Sequence, residues 1–192
     1  MAAAAGCHAT ADAKVLCAAY VRLLARWNRT INLTALPLDP PTDAAIARLI
    51  VEPLAAAPLV RPTDRAAIDL GSGGGSPALP LKIACPALQM TLVESRSRKC
   101  AFLREAVRHL ELPEVDVVNA SFAEFAAAPM RRGSADLITA RALRADAEFW
   151  RVVDVLLRPE GQVLWFGSAR VESAGFTIVG AGSTGAVVVR RA

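Results

Sequence analysis

The segment Gly71–Gly75 holds four glycines and is the part of the chain best suited to bind a ligand. Glycine has no Cβ, so its backbone can take positive φ and a ligand can approach it closely. The apolar run Ala66–Leu70 before it predicts a strand. Ser76-Pro77 after it predicts a helix start, because proline fits the first helical turn. Strand, glycine turn and helix together form a nucleotide-type site in α/β proteins.

Three classes of glycine turn compete for this segment. A phosphate-binding P-loop requires a lysine after its last glycine, and none is present. A dinucleotide fingerprint requires a third glycine where this chain has Ser76. The third class binds S-adenosylmethionine and has an acid at the strand end followed by G-x-G-x-G, which Asp69–Gly75 fits. The Asp69 carboxylate would suit the cationic ammonium and sulfonium of that ligand.

A second acid, Glu94, ends the next predicted strand. A carboxylate there can accept hydrogen bonds from both ribose hydroxyls of a nucleoside. NAD enzymes share this feature, so Glu94 alone does not separate the two cofactors. The hairpin predicted at the end of the chain favours S-adenosylmethionine. A glycine turn with a purely structural role is the remaining alternative.

Alternating strands and helices must position these residues. They predict an α/β fold of the class I S-adenosylmethionine-dependent methyltransferase type: a Rossmann-like, mostly parallel, seven-stranded sheet with a terminal antiparallel hairpin. The predicted strands are Ala66–Leu70, Met90–Glu94, Val115–Asn119, Ala135–Ala140, Gln162–Phe166, Gly175–Val179 and Ala186–Val189. The helices between them are Pro77–Ala84, Ser97–Leu110, Phe122–Ala127 and Ala145–Leu157. Turns are predicted at Arg158–Gly161 and Gly180–Ser183.

Two further helices precede the first strand. One runs over Ala11–Asn28, with its apolar stripe at Val15, Leu16, Ala19, Leu23 and Trp27. The other is capped by Thr42 or Asp43 and ends at about Ala57. We therefore expect residues 1–60 to form a helical extension packed on a Rossmann-like methyltransferase domain over residues 61–192.

Composition limits the surroundings of the protein. The 192 residues carry a formal net charge of +4, mostly from arginine, which permits a nucleic-acid partner but also matches a bias in genomic base composition. Four cysteines lack metal-binding spacing and predict free thiols in a reducing cytoplasm, with no metal site. The start, including Cys7, lacks the features of a signal peptide, so a frayed terminus is expected. No apolar run is long enough for a membrane span, and a monomer is expected.

Several motifs together resemble one family, the RsmG (glucose-inhibited division B) type of 16S ribosomal RNA methyltransferase, which methylates guanine at N7. The resemblance covers roughly Val15 to Arg190. The matching segments are Arg26-Trp27-Asn28, Asn32-Leu33-Thr34, Asp69–Pro80, Leu92–Ser95, Arg98-Lys99, Phe102-Leu103, Glu124-Phe125 and Ala140-Arg141-Ala142.

The resemblance implies a set of site residues. S-adenosylmethionine would contact Gly71, Gly73, Gly75 and Ser76 beside Asp69, while Glu94 would hold its ribose. The backbone of Phe122-Ala123 would bracket the adenine, and Arg141 would lie at the methyl-transfer site. The partner would be 16S rRNA or the 30S particle. The basic residues expected to contact its RNA are Arg22, Arg26, Arg29, Arg48, Arg96, Arg98 and Lys99.

The chain departs from the family pattern mainly on the substrate side. Leu49 stands where the family has histidine, and Glu52 where it has aspartate. Ser121 replaces a basic residue, and Gly167-Ser168 replaces lysine-glycine. The altered positions leave the exact RNA target open.

The chemistry implied for the reaction needs no general base, because guanine N7 already carries a lone pair. His8 and His109 lie in no motif, and Arg141 is expected to orient the base or balance phosphate charge. A cytosine-C5 enzyme would need a nucleophilic cysteine after the fourth strand, and none is there. An exocyclic-amine enzyme often carries Asp-Pro-Pro followed by an aromatic residue. Here Thr42 follows Asp39-Pro40-Pro41, which lies before the first strand, so we interpret it as a linker. Two alternatives stay open: a methyltransferase acting on a small molecule or protein, and a non-catalytic relative that binds RNA.

Overall fold

The computed structural model describes residues 11–167, 175–181 and 186–192. The expected frayed start, with Cys7 and His8, lies outside these ranges, as do Ser168, the short connection before the sixth strand and the later part of the predicted turn at Gly180–Ser183. No helix among the described residues is both long and apolar enough to span a membrane.

Seven strands form one sheet in the order β3-β2-β1-β4-β5-β7-β6. The first five run parallel, and β7 is antiparallel to both of its neighbours. This confirms the predicted mostly parallel sheet with a terminal antiparallel hairpin. The strands are β1 Ala66–Leu70, β2 Gln89–Glu94, β3 Val115–Asn119, β4 Ala135–Arg141, β5 Leu157–Phe166, β6 Phe176–Ala181 and β7 Ala186–Arg191.

Side-chain caps mark where several helices begin, and the cap at Thr42 is one of the two that the sequence predicts for its helix. The Thr42 hydroxyl accepts a hydrogen bond from the Ala45 amide, and Ser121 forms a capping box with Glu124. The α-helices are α1 Ala11–Asn28, α2 Asp43–Ile46, α3 Glu52–Ala56, α4 Ala78–Ala84, α5 Ser97–His109, α6 Phe122–Ala127 and α7 Ala147–Leu156. A π-helical turn spans Ala47–Val51, and 3-10 turns span Ala57–Leu59 and Pro129–Arg131.

The sheet is buried on both faces by two separate apolar clusters. The N-terminal helices, α4 and α5 cover one face, where Ala67 and Leu92 point. Helices α6 and α7 cover the other, where Ile68 and Val93 point. Burial on both faces explains why these strands read as continuous apolar runs. The division into residues 1–60 and 61–192 stays a prediction.

The apolar stripe assigned to α1 is wrong at one residue. Val15 is 66% exposed, whereas Cys17, Tyr20 and Leu24 are buried. The helix is apolar on more than one side, so two i, i+3, i+4 series fit its sequence equally well. Packing against α4 and α5 selects the series that contains the chain's tyrosine.

The predicted turn at Arg158–Gly161 lies within a strand, and the described part of the one at Gly180–Ser183 does too. Arg158–Gly161 belong to β5. Between the pairs Ala135–Leu157 and Leu137–Gln162, β4 advances by two residues while β5 advances by five, so the additional residues of β5 bulge out of the pairing. Gly180 belongs to β6, beside a shift in its pairing with β7. Proline and glycine correctly mark breaks in regular pairing here, but each break is a bulge and the strand continues through it.

Asn28, the last residue of α1, holds the loop that follows this helix. Its Oδ1 accepts hydrogen bonds from the amides of Leu33 (2.9 Å) and Thr34 (3.0 Å), and its Nδ2 donates to the Thr34 carbonyl (3.0 Å). Asn28→Ala should lower the free energy of unfolding by about 2 kcal/mol, because three backbone groups lose their partner. Urea denaturation measures this. Exposed Asn32 supplies the matched control, since Asn32→Ala should change stability by less than about 0.5 kcal/mol. Equal losses in the two variants would contradict this role of Asn28.

Candidate active site

A cavity of about 670 Å³ opens at the carboxyl ends of β1, β2 and β4. Ligand sites of α/β sheets lie at this edge, and the volume suits a small-molecule cofactor. Its wall combines the glycine turn, the end of β2, the start of α6, the residues after β4 and parts of the N-terminal extension. The lining residues that carry the site are Leu33, Thr34, Arg48, Leu49, Gly71, Ser72, Gly73, Gly74, Ser76, Glu94, Arg96, Lys99, Ser121, Phe122, Arg141 and Leu143.

The glycine turn presents backbone to this cavity because three of its residues adopt positive φ. The φ angles are +71° at Gly71, +52° at Gly73 and +87° at Gly75. A Cβ at Gly71 would lie 2.9 Å from Leu143 Cδ2, and one at Gly75 would lie 2.6 Å from Leu79 Cδ1. A side chain at either position would be strained and would crowd its neighbours.

Helix α1 supports the turn from below. The buried Tyr20 hydroxyl donates a 2.5 Å hydrogen bond to the Gly74 carbonyl. Burial raises the pKa of this hydroxyl, so it stays protonated and able to donate. Tyr20 was not predicted from the sequence as a site residue. Its signal was a lone polar group on the second apolar series of α1.

Glu94 closes the opposite side of the turn. Its Oε2 accepts a hydrogen bond from the Gly73 amide (2.9 Å), and its Oε1 accepts one from the Arg96 amide (2.8 Å). The residue is only 7% exposed, and it lines the cavity. The Asn119 side chain donates to the Glu94 carbonyl and fixes the end of β2. Two amides thus hold a nearly buried carboxylate at the cavity wall.

Asp69 lies beneath the turn and is not part of the cavity wall. Its Oδ1 accepts a 2.5 Å hydrogen bond from the Thr139 hydroxyl on β4, while Oδ2 has no hydrogen-bond partner among the described residues. Burial raises the pKa of the carboxyl to about 6, although the Thr139 hydrogen bond and the charge of Arg141 act in the opposite direction. Thr139 is a second residue that the sequence analysis missed, since it resembles any buried strand residue.

Arg141 ends β4 and points into the cavity wall with a side chain only 9% exposed. Its Nη2 lies 2.9 Å from Glu52 Oε2, and its Nη1 donates to the Arg48 carbonyl. The guanidinium carbon lies 5.1 Å from the centre of the Phe166 ring. Burial lowers the pKa of Arg141, and the charge of Glu52 raises it. The next residue, Ala142, has φ +57°, a left-handed conformation that costs about 1 kcal/mol outside glycine.

The structure brings most of the predicted cofactor residues to one cavity. Gly71, Gly73, Ser76, Glu94, Phe122 and Arg141 line it, whereas Asp69, Gly75 and Ala123 are not among its lining residues. No group of three or more metal-binding side chains occurs within the described ranges.

The predicted RNA-contacting residues divide into three groups. Arg48 and Lys99 line the cavity together with Arg96. Arg26 is paired with Glu105 at 2.6 Å, and Arg29 with Asp39 at 2.5 Å. Arg22 and Arg98 are exposed outside the cavity wall.

The fold and this site define the class of protein. The strand order, the terminal hairpin and the glycine turn after β1 are those of class I S-adenosylmethionine-dependent methyltransferases. Precorrin-6y C5,15-methyltransferase from Geobacter metallireducens is 16% identical and superposes with a TM-score of 0.51 over 72% of this chain and 85% of that one. A mutant of MtNAS solved in complex with S-adenosylmethionine is 14% identical and superposes with a TM-score of 0.59 over 93% of this chain and 77% of that one.

The family follows from the sequence comparison. The family model described as GidB, rRNA small subunit methyltransferase G, matches residues 14–173. Ribosomal RNA small subunit methyltransferase G of Stenotrophomonas maltophilia strain K279a is 46% identical over 146 residues, which are 76% of this chain and 64% of that protein. The chain belongs to this family, as its motifs predict, and spans less than two thirds of the length of that curated relative.

The buried Asp69 carboxyl predicts an unusual pH dependence of stability. Its folded-state pKa, about 6, lies above the ordinary value of 3.8. The folded chain therefore binds this proton first as the pH falls. The stabilising contribution is complete below about pH 3.8 and is lost as the pH rises through about 6. The stability of wild type relative to Asp69→Asn should fall by about 2 kcal/mol from pH 4 to pH 7, measured by urea denaturation.

Thr139→Val supplies a matched second variant for this measurement. It removes the hydrogen bond that lowers the Asp69 pKa, so the loss of stability should extend to higher pH and become larger. A difference between wild type and Asp69→Asn that stays constant over this range would mean that Asp69 titrates alike in the folded and unfolded chains.

Proposed function

We propose that this protein is an S-adenosylmethionine-dependent methyltransferase that methylates N7 of a guanine in 16S ribosomal RNA. One observation carries the proposal: a cavity walled by the bare backbone of the glycine turn and by Glu94 is also lined by the cationic side chains of Arg48, Arg96, Lys99 and Arg141. The first two features suit a nucleoside cofactor, and the cations suit a polyanionic methyl acceptor.

The residues present fit S-adenosylmethionine. Gly71 and Gly73 offer backbone without side chains, and Glu94 offers a carboxylate already held by two amides. We propose that these residues and Ser76 hold the cofactor, that Gly75 shapes the turn behind them, and that Phe122-Ala123 bracket its adenine. When bound, S-adenosylmethionine supplies an electrophilic methyl group. Asp69, behind the wall, would add negative charge near the cofactor's cationic end.

The acceptor atom is inferred from the side chains around the cavity. No histidine or cysteine lines it among the described residues, so neither a histidine base nor a cysteine nucleophile is available there. Guanine N7 needs neither, because its lone pair lies in the ring plane and attacks once it is aligned. Arg141 would orient the acceptor base through its guanidinium, and it would transfer no proton.

The RNA backbone is proposed to contact the cations at the mouth of the cavity. Within the described ranges Arg48, Arg96 and Lys99 form no ion pair, so their charge is available to phosphates. Arg98 and Arg22 would add exposed charge nearby. Arg26 and Arg29 would contribute less, since Glu105 and Asp39 partly neutralise them.

We further propose that the protein acts as a cytoplasmic monomer, with residues 1–60 as an extension of the catalytic domain over 61–192. The Tyr20 hydrogen bond to Gly74 supports this role for the extension, because it joins α1 to the cofactor turn.

The test is methyl transfer from tritiated S-adenosylmethionine to 16S RNA and to 30S particles, followed by identification of the labelled base. Label in 7-methylguanine is the expected result, and transfer should weaken as salt rises because phosphate contacts release counterions. Label in adenine, in protein or in a small molecule would overturn the assignment. Binding of S-adenosylhomocysteine with no transfer to any acceptor would favour a non-catalytic relative.

Glu94→Gln should weaken binding of S-adenosylhomocysteine by at least about tenfold. A hydrogen bond to a charged group contributes about 1.5–3 kcal/mol. The NH2 group of the new glutamine would also face one of the two backbone N–H groups that the Glu94 carboxylate accepts from. Isothermal titration calorimetry measures the affinity. Exposed Glu148→Gln on α7 is the charge-matched control and should bind within about twofold of wild type. Equal binding by all three proteins would exclude Glu94 from the cofactor site.

A further inference from the structure

The π-helical turn between α2 and α3 makes two hydrogen bonds outside its own helix. Its Arg48 carbonyl accepts one from Nη1 of Arg141, the last residue of β4. Its Leu49 carbonyl accepts one from Ser76 Oγ (2.8 Å), at the end of the glycine turn. One five-residue turn therefore connects the cofactor side of the cavity with the acceptor side. π-helical turns are rare and frequently occur at functional sites.

Glu52 follows this turn directly and completes the contacts of Arg141. The Glu52 carboxylate lies 2.9 Å from Arg141 Nη2, and the two side chains are 29% and 9% exposed. The guanidinium is thus held at both Nη groups and packed over the Phe166 ring. Its Nε is buried and makes no hydrogen bond with the described residues.

Burial of Arg141 makes this arrangement sensitive to Glu52. Desolvation opposes the charged form, and the Glu52 carboxylate is the largest influence in favour of it. Removing one partner of a buried pair leaves the other charge without compensation, so its side chain would have to move toward solvent. Movement of about 1 Å at a reacting centre can cost two orders of magnitude in rate.

We propose that Glu52 is a positioning residue: with the Arg48 carbonyl it holds the Arg141 guanidinium at the acceptor side of the cavity. Its effect on catalysis rests on the proposed function, whereas its effect on Arg141 does not. Glu52 acts through Arg141, so its removal should lower the rate of methyl transfer without weakening the cofactor. Aspartate should preserve much of the effect, because it keeps the carboxylate on a shorter side chain.

The first test observes Arg141 directly, with no substrate. In the chain with ¹⁵N-labelled arginine, the Arg141 Nη hydrogens should give separate NMR signals, because two partners prevent rotation of the guanidinium. Glu52→Gln should merge or broaden these signals, and Glu52→Asp should keep them separate. The control is a second ion pair, in which Asp154 Oδ1 on α7 lies 3.0 Å from Arg191 Nε on β7. Asp154→Asn should leave the Arg141 signals unchanged. Unchanged Arg141 signals in Glu52→Gln would overturn the proposal.

The second test is a double-mutant cycle in methyl transfer. Glu52→Gln should lower kcat by about 10- to 100-fold, with KM for RNA and affinity for S-adenosylhomocysteine within about threefold of wild type. In the Arg141→Gln background the same change should cost less than about twofold. An equal cost in both backgrounds would mean that Glu52 does not act through Arg141.

The two failures are distinguishable. If wild type transfers no methyl group to RNA, the proposed function fails, and the NMR signals of Arg141 still decide whether Glu52 positions it. If wild type is active and Glu52→Gln retains its kcat, the proposed function stands and the positioning role is wrong.

Discussion

The glycine turn after β1 must hold three residues at positive φ, and the surrounding structure supplies the contacts that keep it there. Tyr20 binds the Gly74 carbonyl, Glu94 binds the Gly73 amide, and Ser76 binds the Leu49 carbonyl. These partners come from α1, β2 and the π-helical turn, which are far apart in the sequence. Glycine adopts positive φ without strain, but it is also the residue with the most conformational freedom, so these contacts are what fix the turn in one conformation. The N-terminal helices are therefore part of the site, since without them the turn loses two of its three supports.

Charge inside the site is balanced over a short range. Asp69 and Arg141 are both buried. Burial raises the pKa of Asp69 and lowers that of Arg141, so it favours the neutral form of each, whereas the charge of each favours the ionised form of the other. Thr139 and Glu52 provide the nearest compensating contacts, one for each group. The mouth of the cavity differs, because Arg48 is exposed to solvent and Lys99 is half-buried. Opposite charges are thus close together in the interior, whereas the cationic side chains at the mouth are in contact with solvent.

Sequence patterns predicted the strands well, because burial on both faces produces apolar runs that turn residues interrupt clearly. Glu94 and Gly73 could likewise be predicted to meet, since parallel strands end at one edge of the sheet. Val15 and Tyr20 could not be told apart, because only the packing partner decides which apolar side of α1 is buried. The contacts of Glu52 depend on a π-helical turn, whose extra residue per turn leaves no compositional signal. Bulges in β5 and β6 escaped prediction for a related reason: proline and glycine mark a break in pairing, but they do not say whether the strand resumes.

The π-helical turn also gives this stretch of the chain an unusual response to a change in length. The Glu52 amide donates to the Ala47 carbonyl, five residues back, where an α-helix would join residues four apart. The turn therefore holds one residue more than an α-helix needs to join α2 to α3. Deleting one residue from Ala47–Val51 would let the helix close with α-helical hydrogen bonds and keep Glu52 near Arg141, whereas the same deletion inside an α-helix would turn the following residue by about 100°. The cost would instead fall on the Arg48 and Leu49 carbonyls, which accept hydrogen bonds from Arg141 and Ser76.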